Sequence, residues 1–78
     1  MLFNKYLMGR SGEEGRIGDL ARMAAADPTW PARPGGSSGW DRLARYLHRR
    51  GADREALTGL AEAWIDFWIF REEARRGH

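Results

Sequence analysis

Apolar side chains recur at the spacing of an α-helix in four stretches of the chain, and no stretch alternates as a β-strand would. The first stretch predicts a short helix over residues 2–9. The second predicts a helix over residues 17–26, which ends because Pro28 disfavours the helical conformation in the residue before it. The glycine- and charge-rich residues 11–15 between them predict a loop.

The second half of the chain predicts two more helices with recognisable ends. Ser38 is the expected N-cap of the third helix, and Gly51 is the glycine expected to stop it. Asp53 is the expected N-cap of a fourth and longest helix over residues 54–75. The sequence therefore predicts an all-α fold, a compact bundle of four or five helices with a long C-terminal helix.

Aromatic side chains are expected to fill much of the core. Trp30, held between two prolines in the irregular stretch 27–39, is expected to plug the core rather than to stack on a ligand. Gly59 is expected on the solvent-facing side of the fourth helix, opposite its buried stripe, which is expected to comprise Leu57, Leu60, Ala61, Trp64, Phe67 and Trp68. The predicted core comprises Phe3, Tyr6, Leu7, Ile17, Leu20, Trp30, Trp40, Leu43, Leu47, Leu57, Leu60, Trp64 and Trp68.

Length and composition exclude several classes of protein. The 78 residues predict one domain over 1–78, with a mobile loop at 32–39 and a frayed tail at 76–78. The chain has no cysteine, so it has no disulfides and no cysteine-based zinc site, and we expect no metal and no cofactor. Its longest apolar run, Phe67 to Phe70, is far shorter than the roughly 20 residues of a membrane span. With no signal peptide at its start, the protein is expected in the cytoplasm, away from membranes.

Five segments of the chain resemble the small bacterial YozE-like proteins. Residues 17–21 match that family's I-G-D-L-A segment at every position. Residues 27–31 look like its D-x-x-F-P loop, with Trp30 in place of phenylalanine. The other three similarities are residues 3–8 to F-x-x-W-L-M, residues 40–47 to Y-x-x-I-x-x-Y-L, and residues 63–67 to A-W-x-x-Y.

The resemblance covers about residues 3–67 and implies a compact helical fold similar to the sterile alpha motif. The family has no assigned function, so the resemblance implies a fold and no active site. Two features depart from the family pattern. The loop is expanded at Pro34–Ser38, and the C-terminal helix is more apolar, with Ile65, Trp68, Ile69 and Phe70 where the family is polar.

Catalytic chemistry has little support in the sequence. His48 has no recognisable serine or aspartate partner, and the pairs Glu13–Glu14 and Glu72–Glu73 lie where solvated charge is the ordinary interpretation. A chain of this size is also expected to have little room for a ligand pocket of several hundred Å³. We therefore expect no enzyme and no small-molecule substrate.

One candidate surface is basic. Arg42, Arg45 and Arg49 stand at i, i+3 and i+7, on the face of the third helix opposite its apolar stripe. Such a face can contact phosphates, which makes a nucleic-acid-binding module the alternative function. The competing interpretation is an ordinary solvated face, since the formal net charge is only +2 and aspartates lie nearby.

The other candidate surface is apolar. Ile69 and Phe70 fall outside the predicted buried stripe of the fourth helix and could form a patch for a protein partner, or for a symmetric homodimer through this helix. Alternatively, the stems of the arginines that follow cover these two side chains, or Leu2 and Phe3 fold over them. A small protein-interaction module is the leading prediction for the function, with an unknown protein or a second copy as the partner.

Overall fold

The computed structural model describes residues 3–31 and 39–77. Within them lie four α-helices, α1 (Phe3–Met8), α2 (Arg16–Ala26), α3 (Gly39–Arg49) and α4 (Arg54–Arg76), and these residues form no strand. The predicted all-α class and the long C-terminal helix are confirmed. The predicted N-cap Ser38 lies outside the described residues, as does nearly all of the loop predicted to be mobile at 32–39. Of the tail at 76–78, Arg76 is the last residue of α4, and His78 is outside the described residues.

Three helix ends, those at Ala26, Arg49 and Arg54, lie where local chemistry predicts them. α2 ends two residues before Pro28, and the Asp53 side chain accepts a hydrogen bond of 3.0 Å from the Ala56 amide at the start of α4. Gly51 follows α3 with a φ of 74°, a conformation that glycine adopts without strain. The Ala52 amide then donates back to the Leu47 carbonyl at 3.0 Å, which completes the usual glycine-terminated helix end.

α4 is the centre of the fold and packs against each of the other three helices. The described buried hydrophobic residues form one core cluster between these helices: Phe3, Leu7, Leu20, Ala21, Ala24, Trp30, Leu43, Leu47, Leu60, Ala63 and Phe67. Four other predicted core members, Tyr6, Ile17, Leu57 and Trp64, pack against this cluster and are partly buried. Most of the predicted core is therefore confirmed.

Three expectations about burial were wrong. Trp68 is 46% exposed and Trp40 is 37% exposed, although both were predicted to lie in the core. Gly59, predicted to face solvent, is buried. The physical reason is that α4 packs through its small residues: a Cβ at Gly59 would come within 2.9 Å of the Arg16 carbonyl oxygen. Close approach of α2 at this point turns Ala63 and Phe67 inward and leaves Trp68 outside.

A second close contact shapes the loop between α1 and α2. A Cβ at Gly18 would lie 1.8 Å from the carbonyl oxygen of Glu13, so only glycine fits beneath this loop. Arg22 fixes the same loop, because its Nη1 donates to the Ser11 carbonyl at 2.7 Å and to the Glu13 carbonyl at 2.9 Å. The loop is thereby held against the first turn of α2.

Candidate interaction surfaces

The segment after α2 is anchored to α1 through Trp30. This side chain is only 8% exposed, and its Nε1 donates to Asn4 Oδ1 at 3.0 Å. Asn4 in turn donates from Nδ2 to the Pro31 carbonyl at 2.7 Å. The prediction that Trp30 plugs the core is confirmed.

Asp27 anchors the same segment to α3. Its carboxylate accepts hydrogen bonds from the Tyr46 hydroxyl, from the Thr29 hydroxyl at 2.7 Å and from the Thr29 amide at 2.9 Å. These donors, with Tyr46 foremost, lower the pKa of Asp27 from 3.8 to about 2. Because all of these donors belong to the turn and to the helix that it contacts, the perturbed carboxyl is explained by structure and needs no catalytic role.

Arginines from the first half of the chain meet carboxylates along one side of α4. Arg16 contacts Glu55 through Nε and Glu62 through Nη1, each at 3.1 Å. Arg10 Nη1 lies 3.8 Å from Asp66 Oδ2. This acidic side of α4 is thus paired within the chain. The sequence carries no signal for these contacts, because the paired residues are 39 to 56 positions apart.

The three arginines predicted to share a face of α3 are exposed, on the side away from buried Leu43 and Leu47. Arg45 Nη2 lies 2.8 Å from Asp41 Oδ2. Arg42 and Arg49 have no salt-bridge partner in the part of the chain that the structure describes. The spacing is therefore as the sequence predicts, while phosphate binding at this face stays a prediction.

Ile69 and Phe70 are both exposed, to 51% and 43%, but they lie in different surroundings. The Phe70 ring is 5.4 Å from the Tyr6 ring of α1, so α1 partly covers it through Tyr6. Successive residues of a helix point about 100° apart, and Ile69 therefore faces away from this contact. Leu2, predicted as a possible cover, lies outside the described residues.

Ile69 instead belongs to a larger apolar surface on the outside of α4. Ile65 is 60% exposed, and with Trp68 and Ile69 it follows the spacing i, i+3, i+4 along a line about 160° from the buried side of the helix. Trp64 lies one turn before Trp68 and contacts Trp40 of α3, with ring centroids 6.4 Å apart. We call these five residues, Trp40, Trp64, Ile65, Trp68 and Ile69, the outer apolar face. The i, i+3, i+4 spacing was the signal in the sequence that could have revealed it.

Charged side chains border the outer apolar face, and they have partners within the chain. Glu62 pairs with Arg16 and Asp66 with Arg10, as described above, and Glu72 Oε1 lies 3.9 Å from Arg75 Nη1. The Arg71 guanidinium lies over the Trp68 ring, 5.5 Å from its centroid. The surface is therefore apolar at its centre, and the three bordering carboxylates are each paired with an arginine of the same chain.

The surface also carries open clefts of several hundred Å³, contrary to the expectation that a chain of this size has little room for them. One of them has a volume of about 440 Å³ and lies between α2 and the start of α4, where Leu20, Met23, Asp53 and Ala56 contribute to its walls. Another, of about 360 Å³, adjoins it at Met23. No group of three or more metal-ligating side chains lies together among residues 3–31 and 39–77.

Comparison with known proteins identifies the family. A family model described as YozE SAM-like fold, where SAM denotes the sterile alpha motif, matches residues 3–68. The chain belongs to this family. No curated protein and no solved structure matches the YozE-like chain. The match ends within α4, so Ile69 and the last turns of this helix lie beyond it.

The YozE-like fold explains why the matching segments contain the residues they do. In the I-G-D-L-A segment, Gly18 admits the preceding loop and Leu20 is buried in the core. In the D-x-x-F-P segment, Asp27 and Trp30 hold the turn after α2 in place. None of the described helices is long and apolar enough to cross a membrane.

Proposed function

We propose that this YozE-like chain is a non-enzymatic interaction module of the cytoplasm, and that it binds a protein through the outer apolar face of α4. The observation that carries the proposal is the exposure of Ile65, Trp68 and Ile69 on the side of α4 opposite the core. Together with Trp40, these side chains expose on the order of 400 Å² of mostly apolar surface, the size of the functional patches found on small soluble proteins.

The residue types favour protein binding in particular. Tryptophan is the side chain most enriched among residues that dominate binding energy, and Trp40 and Trp68 are exposed on this face. Isoleucine at i and i+4 beside tryptophan at i+3 is the pattern by which one helix packs against another. Catalysis has no comparable support, because the strongly perturbed carboxyl of Asp27 is bound to its own turn and to Tyr46.

Capture from the native cell tests this function. Wild type, Ile65→Asp and Met23→Asp are immobilised separately, and captured proteins are identified and then titrated in purified form. Met23 is the matched control, because it is an apolar side chain of α2 with 40% exposure. We expect a protein that binds wild type and Met23→Asp but loses at least about tenfold in affinity for Ile65→Asp. Equal binding to all three forms would contradict the proposal.

A second candidate function is nucleic-acid binding through the arginine face of α3. It is favoured by one observation, the lack of carboxylate partners for Arg42 and Arg49 among the described residues. If the face binds phosphates, Arg42→Ala and Arg49→Ala should each reduce the salt dependence of binding by about one unit in log–log slope. Arg75→Ala, on α4, is the control. Absence of any binding to DNA or RNA at low salt would rule this candidate out.

A further inference from the structure

The outer apolar face offers a partner mainly apolar contacts, because the carboxylates at its border are already paired. Its bordering residues Glu62, Asp66 and Glu72 are each paired with an arginine of the same chain. The guanidinium of Arg71, an exposed residue, lies over the rings of Phe67 and Trp68. A partner chosen by charge would have to break these contacts, whereas a partner presenting an equally apolar face would leave them in place.

We infer that a second copy of this chain occupies the face, in a two-fold symmetric dimer in which α4 crosses α4. This inference rests on the proposed function and names its partner. A symmetric contact places the same surface on both sides, and an apolar centre bordered by already paired carboxylates is complementary to itself. The formal net charge of +2 adds little repulsion between copies.

The distribution of charges along α4 selects the geometry of the crossing. The exposed stripe is short, because Glu62 and Glu72 stand at its two ends. In an aligned antiparallel pair centred on this stripe, Ile65 would meet Ile69 of the second copy, but Glu62 would meet Glu72. A crossing inclined by about 50°, the commonest class for packed helices, keeps the central contact and moves the two glutamates apart.

The size of the face sets the strength of the dimer. Two such faces in contact would bury on the order of 800 Å² of mostly apolar surface, and the polar residues around them would add to that area. A total buried area of this size is typical of weak and transient interfaces. We therefore expect a dissociation constant between about 100 µM and 1 mM. The contact is apolar, so raising the salt concentration should not weaken it.

Sedimentation of the whole chain, from about 10 µM to about 1 mM, tests the dimer. Wild type and Met23→Asp should show an average mass that rises towards that of a dimer, at low and at high salt. Ile65→Asp should weaken the association at least about tenfold, while its circular dichroism stays that of the wild type, because Ile65 lies outside the core. NMR resonances that move with wild-type concentration should map to residues 61–72 and to Trp40.

Three results would contradict the inferred dimer, each for a different reason. A wild type that stays monomeric to about 1 mM overturns the dimer, and the capture experiment then decides separately whether the face binds another protein. A dimer that Met23→Asp disrupts and Ile65→Asp does not would place the contact elsewhere and also overturn the inference. A dimer lost at high salt would show an electrostatic contact and overturn the apolar contact inferred for this face.

Discussion

Replacing Gly18 with alanine is the sharpest test of how the first half of the chain is packed. The new Cβ would lie 1.8 Å from the carbonyl oxygen of Glu13 and 2.7 Å from its carbonyl carbon, where ordinary contact begins at 3.4 Å. Both atoms belong to the backbone, so no side chain can simply rotate away. The loop before α2 would have to move, and Arg22 would lose the geometry of its two hydrogen bonds to that loop.

The cost can be worked from these contacts. Overfilling a packed site costs about 1–3 kcal/mol, and a lost hydrogen bond from a charged group about 1.5–3 kcal/mol. Alanine recovers about 1 kcal/mol through its higher helix propensity. The net expectation is a loss of about 3 kcal/mol in the free energy of unfolding. In a domain of this size, that lowers Tm by about 12–24 °C.

Thermal and urea unfolding, followed by circular dichroism, measure this effect directly. Gly12→Ala is the matched control, because it lies in the same loop and its Cβ would meet nothing within 4 Å. The control should change the free energy of unfolding by no more than about 0.5 kcal/mol. A Gly18→Ala protein as stable as this control would refute the close packing of the loop on α2.

Two further predictions concern the turn after α2. The folded pKa of Asp27, about 2, lies below its ordinary 3.8, so its contribution to stability is present above pH 4 and is lost as the pH falls towards 2. Tyr46→Phe removes the main cause of that pKa shift, so its free energy of unfolding should fall less between pH 5 and pH 2 than that of the wild type. Urea midpoints that fall as far as those of the wild type would argue against this cause. Asn4→Leu leaves the Trp30 N–H and the Pro31 carbonyl without this partner and should cost about 1–3 kcal/mol in urea unfolding, so an unchanged midpoint would show that neither bond matters.

Much of the fold could be predicted because its signals are local. Pro28, Gly51 and Asp53 act on the backbone within a few residues of themselves, and each helix ends or begins beside them as expected. The arginines of α3 share a face for the same reason, since helical spacing alone aligns Arg42 with Arg49. Such features need no knowledge of what the helix packs against.

Local signals did not determine which side of α4 faces the core. The helix carries apolar residues around much of its circumference, so its periodicity allowed both Phe67 and Trp68 to be predicted as buried. Only Phe67 is buried, because Gly59 and Ala63 present little bulk, α2 approaches there, and Trp68 remains outside. The outer apolar face, and with it the candidate site, follows from this choice.

Contacts between distant positions were likewise decided by the tertiary structure. Tyr46 reaches Asp27 across 19 residues and Arg16 reaches Glu62 across 46, separations at which no spacing rule operates. The sequence by itself determined where the helices lie and which side chains are available on each. Only the packed chain decided which sides turn inward, because burial depends on how closely two helices can approach and not on the pattern of either one alone.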